Sequence, residues 1–150
     1  MFNIHTIIVP TDFSRLSRSA FEYAKNLAES SEATVHLIHV LDKNPHFIQS
    51  KNSELSEVDL IKALEKEAEE QLLSLKEELT EDSEIHIINT LRKGIDYEEI
   101  VNYAREVDAS LIIIATHSRT GVLHNLLGSV AEKVIRYSKC PVLVIPPLED

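Results

Sequence analysis

The sequence predicts an α/β domain in which a parallel sheet is covered by helices on both faces. Two observations carry this. Five short apolar, β-branched runs alternate with four longer stretches whose apolar residues recur at helical spacing. In addition, "SLIIIAT" (Ser110–Thr116) is apolar without alternation, as a strand buried on both faces requires.

The first strand is "HTIIVP" (His5–Pro10), ended by its proline. A helix from Ser14 to about Ser30 follows, with Leu16, Ala20, Tyr23, Ala24, Leu27 and Ala28 as its inner face. "ATVHLIHV" (Ala33–Val40) is the second strand, and the polar "LDKNPHFIQSKNS" (Leu41–Ser53) is a loop. A long helix then runs from about Glu54 to Leu79. Its stripe is Leu55, Val58, Ile61, Leu64, Ala68, Leu72, Leu75 and Leu79. "EIHIINTL" (Glu84–Leu91) is the third strand. Gly94 opens a turn into a third helix, with Ile95, Ile100, Val101 and Ala104 facing inward. Ser110–Thr116 is the fourth strand. A helix over Ser129–Tyr137 leads to the fifth, "CPVLVIP" (Cys140–Pro146).

A chain of 150 residues with 43% hydrophobic content is expected to form one domain with one core. No apolar run approaches the roughly 18 residues of a membrane span. The opening "MFNIHTIIVPTDF" lacks a basic n-region and is not expected to act as a signal peptide. The single cysteine, Cys140, can form no internal disulfide, which fits a reducing cytoplasm. The net charge is −10, and residues 54–82, with eleven acids and three lysines, supply −8 of it. That is the pattern of one solvated helix face. No basic stripe exists to follow a phosphate backbone, so a nucleic-acid partner is not expected.

In an open parallel sheet, ligands bind beyond the carboxyl ends of the strands, where the winding direction reverses. The first and fourth strands are the natural central pair. Their carboxyl ends carry "PTDFS" (Pro10–Ser14) and "ATHSRTG" (Ala115–Gly121). No acid lies between Ala115 and Ala131, whereas Arg119 adds a positive charge, which favours an anionic ligand. Gly128 and Ser129 stand where the last helix begins, and a helix N-terminus offers unpaired N–H groups to a phosphate. Structural roles compete at each position. Ser129 also fits a helix cap, Asp12 or Ser14 fits the cap of the first helix, and Gly121 fits a turn needing positive φ. His36 and His39 are three residues apart on a strand and so point to opposite faces, unable to share a metal. No nucleophile–base–orienter set marks an enzyme.

Taken together, these residues resemble the universal stress protein family. The likeness rests on "IIVPTDFS", the glycine of "LRKGIDYEEIV" and the ending "ATHSRTG…LLGSVAEKVIRYSKCPVLVIP". It covers essentially the whole chain and is most specific in the final 36 residues. It implies a five-stranded parallel sheet in order 3-2-1-4-5, an open sandwich of Rossmann-like or flavodoxin-like type, dimeric through its last strand. Some members bind ATP and others do not. The ATP-binding pattern is G-x2-G-x9-G-[ST]. Gly128 and Ser129 match its end, whereas Ala115 and Ser118 stand where its first two glycines fall. A methyl at Ala115 is expected to narrow the crevice. By the resemblance, a triphosphate lies on Ser118, Arg119, Gly128, Ser129 and Val130. Adenine and ribose lie near Pro10, Thr11, Asp12 and Val40, with Ala115 against the ribose–phosphate.

Two functions follow as expectations. One is a cytoplasmic, homodimeric stress-response module that binds ATP, with Mg, and signals to a partner protein; any ATP hydrolysis would be slow and incidental. The other is an interaction protein of the same fold with a degenerate site. The homodimer is expected through Val142–Ile145, an apolar edge strand with no charge to discourage pairing.

Overall fold

The strand–helix alternation of the sequence becomes five strands and four helices in a computed structural model, which describes residues 1–43, 56–116 and 128–146. The elements are β1 (Thr6–Pro10), α1 (Arg18–Ser31), β2 (Thr34–Leu41), α2 (Glu57–Thr80) and β3 (His86–Lys93). They continue through α3 (Asp96–Glu106), β4 (Leu111–Ala115) and α4 (Ser129–Tyr137) to β5 (Val142–Ile145). The sheet order is β3-β2-β1-β4-β5 and every pairing is parallel.

Strand periodicity divides the core into two layers. On one face Ile7, Val9, Val35, Leu37, Ile87 and Ile113 pack against Ala20, Ala24, Ala28, Leu72, Leu75 and Leu79 of α1 and α2. On the other, Ile8, Ile38, Ile112 and Ile114 pack against Ile100, Tyr103 and Ala104 of α3 and Ala131 and Val134 of α4. Both faces of β4 are therefore covered, and all five of its residues are buried. The side switch of the helices follows from right-handed crossovers: β1 to β3 winds outward in one direction, and β3 to β5 winds back across the sheet.

Three residues expected to face inward do not. Tyr23 is 50% exposed, Val58 61% and Ile95 54%. Ile95 is the N-cap of α3, in extended conformation, so it precedes the helix whose face it was expected to join. Val58 lies in the first turn of α2, where Ile61 and Leu64 are only half-buried; the stripe is fully covered only from Ala68 onward. Leu55 lies outside the described residues. The acids of α2, among them Glu57, Asp59, Glu67, Glu69, Glu70, Glu77 and Glu78, face solvent as the charge pattern requires. No helix among the described residues is long and apolar enough to cross a membrane.

Candidate functional site

Between β1 and β4 the winding direction reverses, because β1 pairs with β2 on one side and with β4 on the other. Pro10 ends β1 and Ala115 ends β4, so the two loops leaving these strands start side by side. The α4 helix follows the second of these loops and returns antiparallel to the strands, which brings its N-terminus to the same end of the sheet.

The first loop is closed by its own side chains. The Thr11 backbone N–H donates to the Ile38 carbonyl (2.9 Å), prolonging the β1–β2 pairing by one residue. Thr11 and Ser17 are both buried, and their hydroxyls lie 3.1 Å apart. The Phe13 N–H donates to Thr11 Oγ1 (3.0 Å), and the Ser17 hydroxyl donates to the Ser14 carbonyl (2.8 Å). With the Ser17 proton so used, Thr11 must donate to Ser17, which gives one directed chain of bonds. Asp12 Oδ1 accepts from the Ser14 N–H (2.9 Å), an Asx turn. Neither Asp12 nor Ser14 caps α1. The chain from Ser14 to Ser17 first makes a tight turn, with Ser17 N–H on the Ser14 carbonyl (3.2 Å), and the helix begins only at Arg18.

Gly128 is the N-cap of α4 at φ −59° and ψ 150°, with no side-chain cap bond. Ser129 is the first helical residue and exposed, so it does not occupy the cap position, which Gly128 holds. The φ of Gly128 is open to any residue, so backbone strain does not call for glycine here. Val130 packs toward the α3–α4 core, which leaves its backbone, not its side chain, for a ligand. Glu132, in the first turn, is tied to Arg136 one turn on (3.0 Å).

Of the sequence-predicted residues, Pro10, Thr11, Asp12 and Ala115 come together at the ends of β1 and β4, and Gly128, Ser129 and Val130 form the start of α4. Val40 stands near the end of β2, with its side chain packed toward the α3 layer. Ser118, Arg119 and Gly121 lie outside the described residues. Ala115 is 6% exposed, and its methyl packs in the α1–α2 layer. His36 and His39 do project to opposite faces: His36 reaches Tyr103 of α3, whereas His39 packs on Phe13 ahead of α1.

The sequence alone did not single out Ser17, Phe13 or His39 as parts of this site. Period two offers a signal for His39: it follows Val35 and Leu37 on the α1 face and emerges at the carboxyl end of β2.

The family model of the universal stress protein family matches residues 3–146. The chain is 36% identical, over 93% of its length and 80% of the relative's, to universal stress protein MJ0531 of Methanocaldococcus jannaschii. The solved structure of protein MJ0577, from the same organism, superimposes with a TM-score of 0.80 at 32% identity, covering 97% of each chain. More distant structures share the fold. One is a universal stress protein in complex with cAMP (TM-score 0.71, 22% identity, 97% and 99% covered). Another is that of Archaeoglobus fulgidus in complex with dAMP (0.64, 23%, 97% and 99%). On the extent of the family match and the identity to these relatives, the chain belongs to the universal stress protein family.

Proposed function

We propose that this chain binds an adenine nucleotide, ATP with Mg, at the reversal between β1 and β4, and acts as a cytoplasmic, homodimeric signalling module of the stress response. The observation that carries the reading is the N-terminus of α4. It opens on Gly128 with no side-chain cap, at the end of the sheet where the Thr11–Asp12 loop is already folded. A helix start of this kind favours a phosphate through its N–H groups and dipole. Relatives of the same fold that hold cAMP and dAMP support an adenine nucleotide as the ligand class. In this reading Pro10, Thr11, Asp12 and Val40 border the base and ribose. Gly128, Ser129 and Val130 meet the phosphates through their backbone, with Ser118 and Arg119 from the adjoining loop.

Denaturing the purified protein and reading the released small molecules by mass spectrometry tests this. An adenine nucleotide near one per chain, or its uptake when Mg-ATP is added, is expected. Protein that neither carries nor takes up an adenine nucleotide contradicts the reading. One observation favours an interaction protein with a vestigial site instead: Ala115 and Ser118 stand where the ATP-binding pattern implied by the resemblance has glycine. The same measurement separates the two.

A further inference from the structure

The first loop is held from outside by one side chain that no part of the site's description requires. His39 lies on β2, one residue before Val40, and its Nδ1 is 2.7 Å from the Thr11 carbonyl oxygen. A carbonyl oxygen can only accept, so Nδ1 carries the proton. The face of the imidazole meets the Phe13 ring at 4.4 Å between centroids, tilted by 34°. Phe13 itself sits at φ 65°, in the left-handed region that a bulky residue adopts only when its surroundings enforce it. The enforcing contacts are the Thr11 hydroxyl on the Phe13 N–H and the imidazole on its ring.

The consequence falls on Asp12. In a trans peptide the carbonyl and the following N–H point in opposite directions. With the Thr11 carbonyl drawn to His39 on β2, the Asp12 N–H is turned away from β2. On the other side of β1 from β2 lies β4. The Asp12 side chain is fixed in turn by its Asx bond to Ser14.

We propose that His39 is the positioning residue of this site. Its Nδ1–H latches the Thr11 carbonyl to β2, and its ring holds Phe13 in the left-handed conformation, so that Asp12 is presented to the crevice before any ligand arrives. The consequence for ligand affinity rests on the nucleotide reading above; the latch itself does not.

Three variants and two readouts test it. Asparagine places an amide N–H close to where Nδ1 stands, glutamine places it nearer the Nε2 position, and leucine removes it. In His39→Leu and His39→Gln, amide exchange at Phe13 and Ser14 should quicken by about tenfold while Ile8 and Ile112 in the central strands stay unchanged. Calorimetry with Mg-ATP should show affinity weakened by about tenfold in the same variants, and His39→Asn should restore most of both effects. Unchanged exchange at Phe13 and Ser14 in His39→Leu overturns the latch whatever the nucleotide result. Faster exchange with undiminished affinity overturns the positioning role. If the unsubstituted protein binds no nucleotide, the functional reading falls and the exchange data alone decide the latch. In the unsubstituted protein, nitrogen chemical shifts of His39 should report the Nδ1–H tautomer; an Nε2–H tautomer overturns the proposal without any variant.

Discussion

Among single residues, the buried polar groups on the α3 side of the sheet give the clearest dependence on pH. Thr90 Oγ1 donates to the Tyr103 hydroxyl (2.8 Å), which leaves that hydroxyl to donate to His36 Nδ1 (2.6 Å). His36 is thus held neutral with its proton on Nε2, the opposite tautomer to His39. Burial holds its pKa below the ordinary imidazole range, and the neighbouring His86 adds to this. The depressed folded value means that unfolding takes up a proton here. Stability from this site is complete above the ordinary imidazole range and is lost as pH falls through that range toward the folded value. Urea titrations should show the stability of the native protein falling between about pH 7 and 5 more steeply than that of His36→Gln; equal slopes would contradict this. Tyr103→Phe leaves His36 Nδ1 without its donor and should cost about 1–3 kcal/mol at neutral pH. Gly94 is the other sensitive position. At φ 152° it adopts a conformation that L residues rarely reach, and an added Cβ would meet Glu99 Oε1 at 2.7 Å. The carboxylate can move aside but the backbone cannot, so Gly94→Ala should cost about 1–2 kcal/mol in the same titration. The turn at Gly94 was legible in the sequence. The partners of His36 and His39 were not, because period two assigns a face but not what waits across it.

At the level of elements, the strands followed from their apolar runs, whereas the helix starts did not follow from periodicity alone. The α1 helix begins at Arg18 and not at Ser14 because hydroxyl-to-backbone bonds between Ser14 and Ser17 draw the chain into a turn first. The α2 helix begins after Ser56, whose hydroxyl accepts from the Asp59 N–H (3.2 Å), with Glu57 and Asp59 favourable to the dipole in the first turn. Amphipathic spacing continues to that end of α2 although, among the described residues, little core lies beneath it, so the pattern overstated burial at Val58. This separates local from global stability. Ser56→Ala removes a cap worth about 1 kcal/mol, but from a turn with few buried contacts. Amide exchange should therefore quicken over the first two turns of α2 while the denaturation midpoint barely moves. A midpoint loss as large as that of Tyr103→Phe would mean that this end of α2 is part of the cooperative core.

For the molecule as a whole, β3 and β5 are the two sheet edges; β3 carries Arg92 and Lys93, whereas β5 carries no charge. It pairs with β4 alone, Leu143 is 37% exposed, and no charged side chain interrupts Val142–Ile145. A free apolar edge invites the same strand of a second copy, antiparallel about a twofold axis. Light scattering on a sizing column should give twice the 17.0 kDa chain mass. Leu143→Lys should shift the protein toward monomer and is a cleaner test than a change at Val144, which packs toward α4. A monomer at micromolar concentration without substitution would contradict the proposed dimer.

The site's position was legible at this scale, since strand order fixes where the winding reverses. Its ligand was less so, because Ala115 and Ser118 depart from the glycines of the G-x2-G-x9-G-[ST] pattern that the resemblance implies, and the methyl of Ala115 packs in the core. Titration calorimetry of Mg-ATP into the unsubstituted protein and into Gly128→Val addresses the central claim most directly. The φ of −59° at Gly128 accommodates valine without strain, so the variant should fold. A branched side chain there would cover the N–H groups that begin α4. Saturable binding near one nucleotide per chain, reduced at least about a hundredfold in Gly128→Val, is the result predicted. Equal affinity in the two proteins would place the phosphates elsewhere, and no binding to either would leave the reversal between β1 and β4 without its nucleotide.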